Sequence, residues 1–231
     1  MEKGKIIVID GMDGTGKNTQ SKLLFDKLKE KNDKVLLFSF PNYDNDSSYF
    51  VNKFLKEGYC RDINDPIIHS SFFAIDRAIT FAKELKEKYE QGYIIILDRY
   101  IMSNILYHIH KYEDEKDKLE FCGKEYILEN KIFDLPLATV NFVLYSDPSV
   151  NETLINKRCE DQHIEKDLNE NKDFQFIVYN NLSTIKKYEE RLTALFGYIV
   201  PICIHDENRI VWSPEYIGEL IMNILEDEKF I

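Results

Sequence analysis

The sequence predicts an α/β fold of three layers, in which helices cover both faces of a five-stranded parallel sheet. The first observation is that five short apolar runs alternate with longer segments of helical spacing. The second is that each run is apolar throughout, as expected for parallel strands buried on both faces. The runs, interpreted as strands, are residues 6–10, 35–40, 93–98, 140–145 and 198–204. Strand–helix alternation on this scale favours a sheet wrapped by helices.

The segments around these runs are predicted to be helices. They span residues 17–31, 47–57, 66–89, 103–112, 149–159, 174–196 and 214–226. The charged residues 111–118 are expected to form a solvated loop or a helix end. Residues 160–173 are polar throughout, and a long polar connection inside a compact domain is typical of a lid. We therefore predict a lid at about residues 157–173, with a plain surface loop as the alternative.

Composition favours one soluble domain that spans residues 1–231. The chain is 44% hydrophobic and has no internal repeat or flexible linker. Its net charge of −11 argues against nucleic acid or an anionic membrane as the main partner, although a small anionic ligand needs only local cations. The sequence contains no CxxC pair, no signal-peptide pattern and no apolar run long enough to cross a bilayer. We therefore expect a cytoplasmic protein with reduced thiols.

A glycine-rich loop, GMDGTGKNTQ at residues 11–20, follows the first predicted strand and precedes the first predicted helix. Glycines let the backbone curl so that several N–H groups point at one phosphate, and the helix start adds its positive end. Lys17 would add a full charge at the outer phosphates. Spacing and context are those of a P-loop, which leaves an ordinary tight turn as the weaker interpretation. The predicted phosphate contacts are Gly11, Asp13, Gly14, Thr15, Gly16, Lys17, Asn18 and Thr19.

The candidate metal ligands depart from the usual motif. The residue after Lys17 is Asn18, whereas a Ser or Thr hydroxyl normally binds Mg²⁺ there. The amide oxygen of Asn18 is a hard ligand that could take this place, or water could fill it. Asp98 ends the third apolar run, where nucleotide kinases hold Mg²⁺, and Arg99 follows it. A capping Asp beside a surface Arg is the alternative for this pair.

Taken together, these motifs resemble the thymidylate kinase family over nearly the whole chain. The phosphate loop is followed in that family's order by Phe40-Pro41, FFAIDR at residues 72–77, Asp98-Arg99-Tyr100, and Ser103-Asn104 with Tyr107. The resemblance implies a P-loop NTPase-type fold with a lid. It also implies phosphate transfer from ATP to dTMP, Mg²⁺ as cofactor, and a homodimer.

The resemblance further implies how the acceptor nucleotide is recognised. Phe73 would stack on the thymine ring, Arg77 would hydrogen-bond its edge, and Asn104 would read the base. Tyr107 would crowd the 2′ position of the sugar. A flat aromatic ring and a guanidinium edge suit these tasks. The alternatives are that Phe73 and Tyr107 are core aromatics, and that Arg77 forms a surface pair with Asp76.

The same resemblance assigns groups around the phosphates. Asp13 would lie near the 3′-hydroxyl of the deoxyribose and the metal. Arg99 would bridge the acceptor and donor phosphates, with Asp98 beside it. The acceptor site would also be bordered by Phe40, Pro41, Tyr43 and Ser103.

Two departures from the family pattern bear on charge neutralisation. Asn42 follows the Phe-Pro pair, where many family members carry an Arg that contacts the acceptor phosphate. Gly14 stands where other members carry a phosphate-loop Arg, so this chain resembles the type whose lid supplies the catalytic cation. Arg158 is the preferred lid candidate, ahead of Lys157 and Lys166, because its planar guanidinium suits phosphoryl oxygens. The expected catalytic residues are Lys17, Asp98, Arg99 and Arg158.

Two other functions are compatible with the sequence. The first is a kinase of another deoxynucleotide or of a deoxynucleoside. Phosphorylation of a nucleoside hydroxyl benefits from a carboxylate base at the end of the second strand, where Asp44 is the only nearby candidate. The second is a non-catalytic nucleotide-binding paralogue, supported only by Asn18 and Asn42. Asp98 and Arg99 would be superfluous in such a protein.

Overall fold

The computed structural model describes residues 2–163, 165–166 and 169–231. Five parallel strands form one sheet in the order β2-β3-β1-β4-β5 within this part of the chain. They are β1 (Lys5–Gly11), β2 (Val35–Ser39), β3 (Ile94–Asp98), β4 (Val140–Tyr145) and β5 (Tyr198–Cys203). The predicted five-stranded parallel sheet is confirmed, and each strand lies on one of the predicted apolar runs.

Both faces of the sheet are covered, which confirms the predicted three layers. Along β1, Ile6 and Val8 join the core on one face, while Ile7 and Ile9 join the core on the other. All four are buried, and burial of each aliphatic side chain contributes about 1.5–3 kcal/mol. The second face carries residues of the first and last helices, such as Leu24 and Leu225, and the first face carries helical residues from the middle of the chain, such as Phe81, Ile105 and Val178.

The helices of the described residues alternate with the strands along the chain. In order they are α1 (Lys17–Lys29), α2 (Tyr49–Glu57), α3 (Pro66–Thr80), α4 (Lys86–Glu90), α5 (Ile101–His108), α6 (Glu115–Tyr126), α7 (Pro148–Gln162), α8 (Lys172–Lys187), α9 (Glu189–Phe196) and α10 (Pro214–Asp227). Wider π-helical turns continue α3 through Phe81–Leu85 and α6 through Ile127–Ile132. None of these helices is long and apolar enough to cross a membrane.

One helix, α6, is absent from the helices predicted from the sequence. The charged stretch 111–118, expected to be a loop or a helix end, contains the start of α6. The Asp114 carboxylate caps this helix by accepting a hydrogen bond of 2.7 Å from the Lys116 N–H. The buried residues of α6 are Phe121, Cys122 and Glu125, so its inward face includes a carboxylate and gives only a weak apolar pattern.

The predicted lid, residues 157–173, is partly described. Residues 164, 167 and 168 of this segment lie outside the described residues, as does residue 1 of the predicted domain. α7 continues to Gln162 and α8 begins at Lys172, so the connection between the helices is shorter than the polar sequence suggests. Lys172 forms an ion pair of 2.9 Å with Glu152 of α7. Arg61, which lies between α2 and α3, donates a hydrogen bond of 2.8 Å to Asn169.

Candidate active site

The loop between β1 and α1 is open at its helix end. Gly16 precedes the first residue of α1 with a φ of 83°, in the left-handed region that glycine tolerates. A Cβ built at Gly16 would meet nothing within 4 Å. Asn18 and Thr19 in the first helical turn are exposed as well. The positive end of α1 therefore borders open space, as a phosphate-binding loop requires.

Lys17 is the first residue of α1, and its side chain is buried against the phosphate loop. Its Nζ donates a hydrogen bond of 2.5 Å to the Met12 carbonyl and lies 3.7 Å from Asp13 Oδ1. Burial, and then the nearby charge of Arg99, lower the pKa of Lys17 to about 8. A phosphate group next to this ammonium would favour the charged form and stabilise the complex.

Asp98 and Asn18 meet where β3 ends beside β1. Asn18 Nδ2 donates a hydrogen bond of 3.3 Å to Asp98 Oδ2, so the amide nitrogen faces the carboxylate and the amide oxygen remains available. Burial raises the pKa of Asp98, although Lys17 and Arg99 act against this shift. One carboxylate and one amide oxygen suit Mg²⁺, which keeps several waters and binds chiefly to substrate phosphates. The described residues contain no cluster of three or more His, Cys, Asp or Glu side chains with metal-binding geometry.

Asp13 is a buried carboxylate surrounded by donors. Its Oδ1 pairs with Arg99 Nη2, and its Oδ2 accepts a hydrogen bond of 2.9 Å from Gln175 Nε2. Burial alone would raise the pKa of Asp13, but the charges of Arg99 and Lys17 outweigh it and hold the pKa at about 2. These contacts show Asp13 orienting Arg99. Its metal contact stays a prediction.

Gln175 is a site residue that the sequence analysis missed. It is buried at the start of α8, and its Oε1 accepts a hydrogen bond of 3.3 Å from the Asp13 N–H. The Gln175 side chain also donates to the Asn169 carbonyl at 3.0 Å. Gln175 thus ties the far end of the lid to the phosphate loop. No motif contains it, and only the fold brings it to Asp13.

Arg99 lies between the phosphate loop and Tyr107. Its φ of 71° is left-handed, which turns the chain sharply after β3. The guanidinium lies 5.4 Å from the centre of the Tyr107 ring, a cation–π distance. The Tyr107 hydroxyl is 3.4 Å from the Gly11 carbonyl, to which it donates. Burial, and then the Asp13 charge, raise the pKa of Tyr107 well above its usual value, so this hydroxyl stays protonated.

Asp10 and Ser103 hold α5 against the end of β1. Ser103 Oγ donates a hydrogen bond of 2.6 Å to Asp10 Oδ1. The same carboxylate accepts from the backbone N–H groups of Gly11 at 2.8 Å and Tyr100 at 3.2 Å. The phosphate loop and the helix that carries Tyr107 are therefore fixed to one another.

The ten residues predicted for the acceptor site line one cleft of about 570 Å³, part of it open to solvent. The full lining is Asp13, Phe40, Pro41, Tyr43, Leu55, Phe73, Asp76, Arg77, Arg99, Ser103, Asn104, Tyr107, His108 and Asn169. Leu55, Asp76, His108 and Asn169 were not anticipated. A cleft of this size, in which polar side chains converge beside aromatic rings, is typical of a small-molecule site.

Phe73 and Tyr107 are wall residues of this cleft as well as packed aromatics. Phe73 packs edge-on against Phe54, with ring centres 6.2 Å apart, and its ring lies 6.3 Å from that of His108. The His108 Nδ1 lies 3.0 Å from the Asn104 carbonyl, and burial lowers the pKa of His108 to about 3. His108 is therefore a neutral ring that supports the aromatic wall.

Arg77 and Asn104 meet two buried glutamates at the floor of the cleft. Arg77 is 2% exposed, and its Nε and Nη2 each donate a 2.6 Å hydrogen bond to Glu129. Asn104 Nδ2 donates to Glu125 at 2.8 Å and to Glu129 at 3.0 Å. The alternative of a surface pair between Arg77 and Asp76 is therefore wrong. The sequence analysis missed both glutamates because no motif or apolar run marks the segment they lie in.

Arg158 lies on the helix that packs against the phosphate loop. A Cβ built at Gly14 would come within 2.8 Å of Ile155 Cγ1, so α7 covers the position where other chains carry a loop Arg. Arg158 is three residues beyond Ile155, which places both on one side of α7. Its Nη2 pairs with Glu170 at 2.6 Å, while its buried Nε has no hydrogen-bond partner among the described residues.

Comparison with known proteins finds thymidylate kinases among the relatives of this chain. The thymidylate kinase family model matches residues 9–195. A thymidylate kinase of Schizosaccharomyces pombe is 38% identical over 109 residues, which are 47% of this chain and 50% of that protein. The chain spans about half the length of the first curated relatives that it matches.

Two solved structures share the fold. The thymidylate kinase of Ehrlichia chaffeensis has a TM-score of 0.64 at 20% identity and covers 96% of this chain and 99% of its own. The thymidylate kinase of Candida albicans has a TM-score of 0.65 at 20% identity and covers 98% of this chain and 93% of its own. At this identity the likeness concerns the fold alone.

Proposed function

Because the chain belongs to the thymidylate kinase family, we propose that it transfers the γ-phosphoryl group of ATP to dTMP, giving ADP and dTDP. One observation carries the proposal. The ten acceptor-site residues line a single cleft that includes Asp13 of the phosphate loop and the Arg77–Asn104 pair. A nucleoside monophosphate has the matching layout, with a flat base at one end and a charged phosphate at the other.

The cleft suits a pyrimidine deoxynucleotide. Phe73 offers an aromatic face for the base, while Arg77 and Asn104 offer polar groups for its edge. Tyr107 fills the wall beside Arg99, where a 2′-hydroxyl would need space. Asp13 would accept a hydrogen bond from the 3′-hydroxyl.

Transfer would depend on charge neutralisation and positioning. The acceptor phosphate is already ionised near neutral pH, so no strong general base is needed. Lys17 would hold the donor phosphates, and Arg99, held by Asp13, would reach both reacting phosphates. Asp98 and the Asn18 amide oxygen would hold Mg²⁺, which when bound neutralises charge on the phosphates.

Arg158 would complete the charge neutralisation from the lid. Gly14 leaves the phosphate loop without an arginine, and the helix that covers Gly14 carries Arg158. When ATP binds, the Arg158 guanidinium would leave Glu170 and pair with phosphoryl oxygens instead. Closure of the lid would also exclude water, which competes as an acceptor.

An ATP-dependent phosphorylation screen tests the proposal, with dTMP, dUMP, dCMP, dGMP and thymidine as acceptors. We expect dTMP to be the preferred acceptor. Preference for thymidine would support the deoxynucleoside kinase instead. Its candidate base Asp44 is exposed and does not line the cleft. Tight dTMP binding without turnover would support the non-catalytic paralogue.

We also propose a homodimer that acts in the cytoplasm. Ile68, Phe72 and Ile75 form an apolar stripe along α3, and the two isoleucines are each 37% exposed. Phe50 of α2 stacks on Phe72 with ring centres 5.7 Å apart, which widens the stripe. A second copy of the chain would cover it, and sedimentation equilibrium should then give twice the chain mass.

All four cysteines are free thiols, which supports a reducing compartment such as the cytoplasm.

A further inference from the structure

The buried glutamates Glu125 and Glu129 have no place in the transfer step, yet they contact both groups proposed to read the base. Both glutamates are 0% exposed, and Arg77, which lines the cleft, is 2% exposed. They lie on α6 and on the π-helical turn that continues it. A buried ion pair is weak evidence for stability, because apolar side chains of similar size often stabilise a core equally well. Two buried carboxylates at the floor of a ligand cleft therefore call for another explanation.

Glu129 determines which part of Arg77 faces the cleft. Two of the three guanidinium nitrogens, Nε and Nη2, donate to its two carboxylate oxygens. This two-point contact fixes both the position and the plane of the guanidinium. Arg77 nevertheless lines the cleft, so Nη1 remains to act there as a hydrogen-bond donor.

The two glutamates together determine the orientation of the Asn104 amide. Asn104 Nδ2 donates to Glu125 Oε2, to Glu129 Oε1 and, at 3.2 Å, to the Ser70 carbonyl. An amide turned by 180° would place its oxygen against the Glu129 carboxylate that pairs with Arg77, which is strongly unfavourable. The oxygen Oδ1 is therefore left for the cleft, where Asn104 also contributes to the lining.

We infer that Glu125 and Glu129 are positioning residues that make the cleft select 4-oxopyrimidines over 4-aminopyrimidines. The inference rests on the proposed function and deepens it. A fixed donor from Arg77 matches the oxygen at C4 of thymine or uracil, and a fixed acceptor from Asn104 matches their N3–H. Cytosine presents an amino group and an unprotonated N3 at these positions, so donor would face donor and acceptor would face acceptor.

The test compares variants that differ in the acceptors they leave for Asn104 and Arg77. Glu125→Leu removes one of the three acceptors that hold the Asn104 nitrogen, which weakens the preference for the orientation that presents Oδ1 to the cleft. Glu125→Gln keeps one acceptor oxygen, and Glu129→Gln leaves Arg77 with one acceptor in place of two. Glu120→Gln is the control, since Glu120 lies on the same helix in an exposed pair with Lys124 at 2.8 Å.

The readout is kcat/KM for dTMP divided by kcat/KM for dCMP, together with KM for ATP. In Glu125→Leu we expect this ratio to fall about tenfold or more, the cost of losing one buried polar discrimination. Glu125→Gln should restore most of that loss. Glu129→Gln should raise KM for dTMP by about tenfold while KM for ATP changes less than about twofold.

The outcomes separate this inference from the proposed function. If folded variants keep the dTMP-to-dCMP ratio of Glu120→Gln, the glutamates are only structural and the inference is overturned, while the proposed function stands. If Glu125→Leu does not fold, Glu129→Gln decides the matter: the expected rise in KM for dTMP supports the inference, and a KM for dTMP equal to that of Glu120→Gln overturns it. If the wild type does not phosphorylate or bind dTMP, the proposed function fails and the inference fails with it.

Discussion

Lys17 and Asp13 lie 3.7 Å apart with little access to water, so each depends on protein groups for the solvation of its charge. The pKa of Lys17 is lowered to about 8 by burial and Arg99, whereas Asp13 keeps a pKa of about 2. The two together leave the loop with little net charge. Incoming phosphates would add negative charge beside Lys17 and so favour its protonated form.

Replacement of Lys17 by Ala should remove most activity without unfolding the chain. A contact to transferring phosphoryl oxygens contributes about 3 kcal/mol or more to transition-state stabilisation, so kcat/KM should fall by about 10²-fold or more. Steady-state kinetics with ATP and dTMP measure this, with circular dichroism as the check on folding. Near-normal turnover of a folded variant would contradict the phosphate-loop assignment.

Arg77→Met should destabilise the fold more than an ordinary buried substitution, because it leaves the 0% exposed Glu129 without its counter-ion. Breaking one partner of a buried pair costs about 3–5 kcal/mol, whereas removing both is often nearly neutral. Urea unfolding should therefore show that Arg77→Met/Glu129→Leu recovers most of the stability lost in the single variant. Additive losses in the double variant would show that the two side chains are not coupled.

Because of Glu125, the free energy of unfolding should fall as the pH rises above 5. Burial, and then the charge of Glu129, raise the pKa of Glu125 from 4.5 to about 7. Between these values the folded chain keeps a proton that the unfolded chain has released, so this stabilisation is present below pH 4.5 and lost by about pH 7. The difference is on the order of 3 kcal/mol.

The comparison of wild type with Glu125→Gln isolates this effect. The variant should gain stability relative to wild type as the pH is raised from 5 to 8 in urea unfolding experiments. His108, whose pKa is lowered by burial to about 3, has the opposite pH dependence, but it is present in both chains and cancels in the difference. A difference that does not change with pH would mean that Glu125 is ionised throughout this range.

At the scale of elements, the strands and the phosphate loop could be predicted because apolar runs and glycine spacing are local signals. α6 could not, because its inward face includes Glu125 and its first turn is charged. The predicted helix 174–196 is two helices, α8 and α9, that meet at Tyr188. No Gly or Pro marks the break at Tyr188 or the start of α6, so neither feature could be predicted from such a residue.

Arg158, on the part of α7 that belongs to the predicted lid, should supply the catalytic cation. Arg158→Ala should lower kcat by about 10²-fold with little change in dTMP affinity, because the missing charge would act on the transferring group. Kinetics of Arg158→Ala, Lys157→Ala and Lys166→Ala, compared side by side, identify the residue responsible. The largest loss at either lysine would reassign the role.

Closure of the predicted lid over bound nucleotides can be measured separately by proteolysis. Proteolytic cleavage within residues 160–173 should slow when both nucleotide sites are filled, since Arg158 would then hold phosphates in place of Glu170. Cleavage that is indifferent to nucleotides, together with an unchanged kcat for Arg158→Ala, would leave this segment as a surface loop.

At the scale of the whole molecule, the contacts that complete the site join distant parts of the chain. Arg77 and Glu129 are 52 residues apart, and Asp13 and Gln175 are 162 residues apart. The family resemblance named Arg77 and Asp13, since they lie in motifs, but their partners lie in segments without one. Parallel strand order brings these segments together, and it is the tertiary structure alone that reveals the pairs.

We expect the phosphate loop and the cleft floor at Arg77 and Asn104 to form one continuous site. Calorimetric titration with a bisubstrate analogue, in which adenosine and thymidine are joined by a polyphosphate chain, measures this. One analogue molecule should bind per chain, and ATP and dTMP should both lose their binding in competition titrations. Displacement of only one of the two nucleotides, or binding of two analogue molecules per chain, would contradict it.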